Sequence, residues 1–454
     1  MKIALISEHA SPLALLGGTD SGGQNVYVAN VARELARQGH HVDVFTRRES
    51  EEQPLCAAFA PGVRVVHIDA GPACVMPKEK LLPHMAEFSA NLLDFYRVQM
   101  RDGAGYAVTH ANFFMSGMAG LAAKDALGVP LVITFHALGK VRRLHQGADD
   151  GFPLERFAIE EDLVARADHI VAECPQDLVD LRSLYGADPA RVSVVPCGFD
   201  AREFYPVRRE EARAKLGWLN TGFSILQLGR LVPRKGIDNV IRALATLRYR
   251  HGDRAMLYVV GGNSESPDET ATPEIARLRS VARSTGVADC VEFVGRRARN
   301  VLRLYYAACD VFVTTPWYEP FGITPVEAMA CARPVIGAEV GGIRSTVVHN
   351  RTGFLVPPKD PDALALRLHE LAIDAKRRAA FAEAGHARAR SLYTWAQVVR
   401  DLEAVFIRSA RTTAPKKVAT RRPPQPQEKS LSLAGRGLRP ARTAAHGMGT
   451  RKLG

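Results

Sequence analysis

The stretch KIALISEHASPLALLGGTDSGGQNVYVANVARELARQGHHVDVFT, residues 2–46, joins two apolar runs through a glycine-rich loop and a helical pattern. The runs KIALIS and HVDVFT have the length of strands buried on both faces, as in parallel sheets. The loop from Gly17 to Asn25 holds four glycines, which allow close approach of another group to the backbone. The helix begins near Val26, and its free N–H groups could meet an anion. This stretch predicts a strand–loop–helix–strand unit whose loop either contacts a phosphate or only turns tightly.

The same alternation of short apolar runs and amphipathic helices continues along the chain and predicts an α/β fold. The runs form two sets, namely KIALIS, HVDVFT, VRVVHI, LVITFH, HIVAEC and VSVVP, then SILQLGR, MLYVVGG, VEFVG, DVFVTTP, RPVIGAE and TGFLVPP. We place the joint between them near residues 197–220 and predict two Rossmann-like, doubly wound parallel-sheet domains that face a cleft. The predicted boundaries are 1–200 and 201–390, then a helix at 391–410 returning to the first domain and a basic tail at 411–454. Ligands are expected at the carboxyl ends of the strands, where open α/β sheets bind them.

Composition places the chain among cytoplasmic globular proteins. It has 46% hydrophobic and 24% charged residues, and no apolar run approaches the roughly 18 residues that span a bilayer. The amino terminus lacks the pattern of a signal peptide. The seven cysteines form no CxxC pair and indicate reduced thiols. We expect Cys174, Cys309 and Cys331 to serve packing.

The formal net charge of +12 is concentrated in the carboxyl-terminal tail. Residues 411–454 contain eleven Lys and Arg and one acid, so the tail carries +10 and the remaining chain +2. Its Pro, Gly, Ala and Arg content predicts disorder. Weak contact with a membrane surface or nucleic acid and a solvated tail without a partner both stay open.

The glycine-rich loop does not match a dinucleotide fingerprint. GGTDSGGQN contains no GxGxxG pattern, and no acid stands at the end of the second strand. A nicotinamide cofactor is therefore not predicted.

Two segments of the second half carry residues suited to a sugar nucleotide. LQLGRLVPRKGID places Arg230 and Lys235 after a strand, where they could grip a diphosphate or form a solvated pair. In PWYEPFGITPVEAMACARPVIGAEVGGI, Glu319 follows a strand and Glu327 is expected in the first turn of the next helix. A carboxylate can hold vicinal hydroxyls, although acids near a helix start also serve stability alone.

These segments together resemble the retaining family-4 glycosyltransferases of GT-B fold, over about residues 1–408. The resemblance rests on EPFGITPVE, EAMACARPVIGAEVGGI, GRLVPRKG and SGGQNVYV. The first half is most similar to sucrose-phosphate synthases and inositol-phosphate glycosyltransferases, through PKEKLLPHMAEF, HANFFMSG and TFHALGKVRR.

The resemblance implies roles for individual residues. His136, Arg230, Lys235 and Glu319 would be catalytic. Donor-binding residues would be Gly22, Gly23, Arg230, Lys235, Arg296, Glu319, Phe321, Gly322, Ile323 and Glu327. Acceptor-binding residues would be His9, Asp20, Asn25, Lys78, Thr134 and Arg156, with Lys78 and Arg156 suited to a phosphate.

The implied reaction moves a hexosyl group from a nucleotide-diphosphate sugar, expected to be a UDP-sugar, to a hydroxyl acceptor, for which a sugar phosphate and a cyclitol phosphate are candidates. The diphosphate would take the acceptor proton on the same face, so configuration is retained. Neither a cofactor nor a metal is expected, because no DxD motif stands in a suitable loop. Phe113 departs from the family, since inositol-phosphate enzymes have an aromatic hydroxyl there, and it leaves the acceptor open. A nucleotide-sugar epimerase or a non-catalytic sugar-nucleotide-binding protein is the alternative.

Overall fold

A computed structural model describes residues 1–14, 22–218, 222–252 and 254–413. The basic tail from residue 414 onward, including its predicted disorder, lies outside the described residues. Within the described ranges, no helix is both long and apolar enough to cross a bilayer.

The first half is an eight-stranded sheet with helices on both faces, in the strand order β3-β4-β2-β1-β5-β6-β7-β8. Its elements are β1 (Lys2–Ile6), α1 (Gly23–Arg37), β2 (His41–Arg47), β3 (Cys56–Ala60), β4 (Val63–Ile68), α2 (Met85–Arg101), β5 (Val108–Asn112), α3 (Phe114–Leu127), β6 (Leu131–Thr134), α4 (Gly139–Gln146), α5 (Glu155–Arg166), β7 (His169–Ala172), α6 (Pro175–Tyr185) and β8 (Val192–Val194).

The second half is a six-stranded parallel sheet in the order β11-β10-β9-β12-β13-β14. Its elements are α7 (Arg209–Leu216), β9 (Phe223–Leu228), α8 (Ile237–His251), β10 (Ala255–Val260), α9 (Pro273–Ser284), β11 (Val291–Gly295), α10 (Arg299–Ala308), β12 (Val311–Thr314), α11 (Ile323–Ala330), β13 (Val335–Ala338), α12 (Ile343–Thr346), β14 (Gly353–Val356), α13 (Pro361–Ile373) and α14 (Ala375–Leu392).

The two doubly wound sheets confirm the predicted fold class, with two differences in the strands. Strands β3 and β5 are absent from the predicted set, and β3 pairs antiparallel with β4. Strand β3 reads CAAFA, a short, partly exposed edge strand without the β-branched residues that mark the other strands. Strand β5 reads VTHAN, and its polar residues hide a strand that is buried along its whole length.

Helix α15 (Trp395–Thr413) follows the second sheet but packs on the first half. Its Trp395 ring lies edge-on to Tyr27 of α1 at 5.7 Å between ring centroids. The chain passes between the two halves twice, near Phe199 and near Tyr393. These two segments are hydrogen-bonded, since the N–H of Phe199 donates to the carbonyl of Tyr393 at 2.8 Å. Helix α15 thus contacts α1 of the first half, while the predicted domain boundaries stay a prediction.

Candidate active site

The carboxyl ends of both sheets face a cleft that encloses a cavity of about 350 Å³. Most of the residues predicted for the site line this cleft. They are His9, Gly22, Gly23, Asn25, Lys78 and His136 from the first half, and Arg230, Lys235, Arg296, Glu319, Phe321, Gly322, Ile323 and Glu327 from the second. Parallel sheets bring them together because most of these residues follow the end of a strand or lie at the start of the next helix.

Two helix N-termini converge on one point of the cleft. Helix α1 begins at Gly23 and helix α11 at Ile323, and a Cβ on Gly23 would lie 3.5 Å from Ile323 Cδ1. A Cβ on Gly22 would lie 3.9 Å from Nε of Arg230 on the opposite wall. The glycines therefore leave open the narrow space between free N–H groups and a guanidinium, which suits an anionic group.

Asn25 fixes this loop rather than projecting from it. Its Oδ1 accepts from the N–H of Gly22 at 3.0 Å, and its Nδ2 donates to the carbonyl of Ser11 at 3.0 Å. Its side chain is buried, so its contribution to the cleft is the shape of the loop. Asp20, the other residue of this loop predicted to face an acceptor, lies outside the described residues.

Lys235 and Glu319 form an ion pair across the second half of the cleft. Burial lowers the pKa of the Lys235 ammonium to about 8, although Glu319 opposes the shift. Burial alone would raise the pKa of the Glu319 carboxyl, but Lys235 and Arg234 hold that pKa below its usual value. Glu319 thus stays ionised and positions the lysine beside Arg230.

The loop that carries Glu319 rests on two glycines of the motif EVGGI. Gly341 has φ +42°, and a Cβ there would lie 1.9 Å from the carbonyl oxygen of Glu319. A Cβ on Gly342 would lie 2.4 Å from the Phe321 backbone, and the Gly342 N–H donates to the Glu319 carbonyl at 3.0 Å. Side chains at these two positions would push the loop out of the cleft.

Glu327 lies one turn deeper in helix α11 than the sequence predicts. It is the fifth helical residue rather than a residue of the first turn, because the helix begins at Ile323. Nη2 of Arg299 lies 2.9 Å from its Oε1, and the hydroxyl of Tyr306 donates to its Oε2 at 3.0 Å. Burial raises the pKa of the Glu327 carboxyl, although Arg299 opposes the shift.

Sequence reasoning selected Arg296 but missed Arg299 and Tyr306. The signal was the run GRRARN after β11, where three arginines follow a strand end. Arg296, Arg297 and Arg299 all line the cleft, and Arg299 is the one that contacts Glu327.

His136 directs both ring nitrogens at oxygen atoms. Its Nδ1 lies 2.9 Å from Glu173 Oε1 and its Nε2 lies 3.0 Å from Asn112 Oδ1. Glu173 also accepts from Sγ of Cys197 at 2.9 Å, and the neighbouring His136 holds the pKa of this buried carboxyl below its usual value. His136 itself has φ +56°, a conformation that a non-glycine residue adopts only where its surroundings enforce it.

Glu173 and Asn112 were missed by sequence reasoning, although a signal was present. Glu173 follows strand β7, and Asn112 ends strand β5. Strands β5 and β7 flank β6 in the sheet, so residues at their carboxyl ends lie next to His136, which follows β6. Strand β5, however, is not among the predicted strands.

The structure does not bring Thr134 or Arg156 to the cleft surface, which corrects their predicted acceptor role. Thr134 is fully buried at the end of β6, and its hydroxyl lies 2.9 Å from Nε2 of His110. Arg156 is 1% exposed, and its Nε donates to Glu160 at 2.7 Å. The loop–helix arrangement behind β6 thus encloses the guanidinium.

His9 and Lys78 line the cleft beside Phe113. Nδ1 of His9 lies 2.6 Å from Glu8 Oε1, and Nζ of Lys78 lies 3.3 Å from Glu79 Oε1. The Phe113 ring packs edge-on against His9 at 5.0 Å.

The two halves of the cleft touch in this conformation. Nε2 of Gln146 on α4 donates to the hydroxyl of Tyr318 at 3.0 Å, and the His145 ring stacks on that tyrosine at 5.2 Å. Sγ of Cys174 donates to the carbonyl of Pro320 at 3.3 Å. Cys174, Cys309 and Cys331 are all buried free thiols, as expected for packing.

Comparison with known proteins identifies both halves. Residues 21–203 match the model "Glycosyltransferase Family 4", and residues 208–388 match "Glycosyl transferases group 1". A D-inositol 3-phosphate glycosyltransferase of Actinosynnema mirum is 38% identical over 417 residues, which is 89% of this chain and 96% of that protein.

Solved structures agree on the architecture. The sucrose-phosphate synthase of Thermosynechococcus elongatus superposes with a TM-score of 0.81 at 31% identity, covering 90% of this chain and 99% of that one. Anabaena HepE in complex with UDP-glucose superposes with a TM-score of 0.68 at 21% identity, covering 90% and 100% of the respective chains. At that identity the second likeness concerns the fold alone.

Proposed function

Because this chain belongs to the family-4 glycosyltransferases of GT-B fold, we propose that it transfers a hexosyl group from a UDP-sugar to a hydroxyl of a small polyol, with retention of anomeric configuration. Relatives and neighbours bear the names inositol 3-phosphate glycosyltransferase and sucrose-phosphate synthase. Phosphorylated and uncharged polyols therefore both fall within this proposal.

One observation carries the proposal, namely the convergence of anion-binding groups at a single point. The N-termini of α1 and α11 meet there, and Arg230 and Lys235 line the same cleft. Two phosphoryl groups need several donors that are fixed before the ligand arrives. We assign the donor diphosphate to this point, with Gly22 and Gly23 on one side and the two cations on the other.

The remaining donor contacts follow from that placement. Glu327 would hold ribose hydroxyls, and Arg299 would keep the Glu327 carboxylate oriented through their contact. Glu319 would accept from hydroxyls of the transferred sugar, with support from the N–H groups of Phe321, Gly322 and Ile323. Arg296 would lie beside the base or the diphosphate.

The reaction breaks the bond between the anomeric carbon and the diphosphate oxygen. The cations and helix N-termini stabilise the negative charge that develops on that oxygen. The acceptor hydroxyl bonds to the anomeric carbon from the same face and gives its proton to the departing phosphate. His136 would contact the transferred sugar, held by Glu173 and Asn112. No cofactor is assigned to this reaction, and no metal-bound step is included.

Thermal stabilisation by nucleotides tests the donor assignment. We expect UDP and UDP-sugars to raise the Tm more than ADP or GDP at equal concentration, since binding to the folded state alone stabilises it. A second assay then follows UDP release from stabilising donors as polyol acceptors are added. Equal stabilisation by all nucleotides, or UDP release that ignores every acceptor, would count against the proposal.

A further inference from the structure

We propose that the acceptor is an uncharged polyol and that this enzyme discriminates against phosphorylated acceptors. The inference rests on the proposed transferase function and specifies the acceptor of the same site. It follows from how the positive charges of the first half of the cleft are already occupied.

Arg156 is the most deeply buried of these basic residues. Its partner Glu160 accepts from Arg156 Nε at 2.7 Å and from the Gly139 N–H at 3.1 and 2.9 Å, and it also accepts from the hydroxyl of Tyr185. Glu160 is fully buried. Turning this carboxylate away would leave several buried donors without an acceptor, which is unfavourable. Nε of Arg156 is therefore committed to this carboxylate and is not available to a second anion.

Aromatic rings separate Arg156 from the cleft. The guanidinium carbon lies 4.9 Å from the ring centre of Phe113 and 4.7 Å from those of Phe114 and Phe152. Nη1 of Arg156 has no hydrogen-bond acceptor within the described part of the chain, and these rings surround the group. Phe113 is the ring that also lines the cleft, and it offers no hydroxyl to an acceptor phosphate.

The basic side chains on the cleft surface have carboxylate partners as well. Nη2 of Arg142 lies 2.7 Å from Asp150 Oδ1, and Asp150 is 5% exposed. His9 lies against the buried Glu8 at 2.6 Å. Both carboxylates are held inside the protein, where separating them from these partners would leave a buried charge without a contact.

The carboxylate partner of Lys78 is more exposed than those of Arg142 and His9. Nζ of Lys78 lies 3.3 Å from Glu79, and both side chains are partly exposed, so the pair contributes little and can open. A phosphate would then meet one flexible lysine whose neighbour is a carboxylate. One such contact does not replace the hydration of a dianion.

The second half of the cleft has the opposite balance. Among the described residues that line it there are six basic side chains and two acidic ones. Nη1 of Arg234 is buried without a hydrogen-bond partner in the described ranges. The unbalanced positive charge lies where the diphosphate is assigned, and the acceptor side is balanced. A cleft of this kind suits one anionic substrate and one neutral substrate.

Matched pairs of acceptors test the inference directly. The full-length enzyme is given UDP-glucose or UDP-N-acetylglucosamine with inositol or inositol 3-phosphate, glucose or glucose 6-phosphate, and fructose or fructose 6-phosphate. We expect kcat/KM for the uncharged member of a productive pair to exceed that for its phosphorylated partner by about tenfold or more. A preference for the phosphorylated member overturns the inference while leaving the transferase function intact.

A small-molecule extract of cells tests acceptors that are not among these pairs. The extract is offered with radiolabelled donors, before and after treatment with a phosphatase that is then removed. Label transfer that persists after the treatment, in a product that an anion exchanger does not retain, supports the inference. Transfer that the treatment abolishes overturns it. No acceptor-dependent transfer from any donor overturns the proposed function, and the inference falls with it.

Discussion

Lys235 is the residue whose chemistry depends most directly on its surroundings. Its ammonium has a pKa of about 8, and Glu319, Arg234 and Arg230 face it. The lysine loses its charge as the pH rises through that value, because burial disfavours the charged form. We expect kcat/KM for the donor to fall above about pH 8, while kcat at saturating donor changes less, since a bound diphosphate favours the ammonium.

The variant K235R provides the control for this profile. Its guanidinium does not titrate in this range, so the alkaline fall should disappear at whatever activity remains. An unchanged alkaline limb in K235R would assign the titration to another group.

Glu327 tests the donor site at its most buried position. Removing the carboxylate in E327A leaves Arg299 without that partner and removes the proposed ribose contact. We expect kcat/KM to fall about 10²-fold or more. The Tm of E327A and E327Q separates this loss from unfolding, and near-normal turnover of a folded variant would contradict the assignment.

Glu173 is predicted to act through His136 rather than on a substrate. The variant E173Q keeps the shape of the side chain but removes the charge that faces Nδ1 of His136. We expect kcat to fall about tenfold with little change in the KM of the donor, because the loss would concern the transition state. A rise in KM at constant kcat would indicate a binding role instead.

At the scale of elements, the start of α1 carries the most specific prediction. A Cβ on Gly23 meets Ile323 Cδ1 at 3.5 Å, which is ordinary van der Waals contact, so the free protein has room for alanine. The same methyl group would occupy the space assigned to the diphosphate. We expect G23A to keep the wild-type Tm but to raise the donor KM about tenfold or more. Unaltered donor kinetics would show that the diphosphate does not bind at the start of this helix.

Most elements of both sheets could be predicted because buried parallel strands are continuous apolar runs. Strand β5 was missed because Thr109, His110 and Asn112 are polar, yet these side chains find partners inside the fold. Such a strand shows neither a continuous apolar run nor an alternation of apolar and polar residues.

The candidate site was predictable where one segment holds both the motif and its geometry, as for Arg230, Lys235 and Glu319. The partners of His136 and Glu327 come from other strands and helices, and only tertiary packing brings them there. Arg156 shows the opposite error, since a basic residue in the right segment faces Glu160 instead of the cleft.

At the scale of the whole molecule, α15 connects the two halves through Trp395. Its ring packs against Tyr27, and a Cβ on Gly198 would lie 2.8 Å from it. We expect W395A to lower the free energy of unfolding by about 3–5 kcal/mol through loss of this packing. The measurement is chemical denaturation, with D401A at an exposed position of the same helix as the control. Equal stability of W395A and the wild type would show that α15 is not needed to join the halves.

The central claim is glycosyl transfer with retention, and proton NMR of the product tests it most directly. The enzyme is incubated with an α-linked UDP-sugar and a polyol acceptor, and the coupling of the new anomeric proton is recorded together with UDP. The account predicts acceptor-dependent release of UDP and an α-linked product. A β-linked product would contradict retention, and isomerised donor without acceptor would contradict transfer itself.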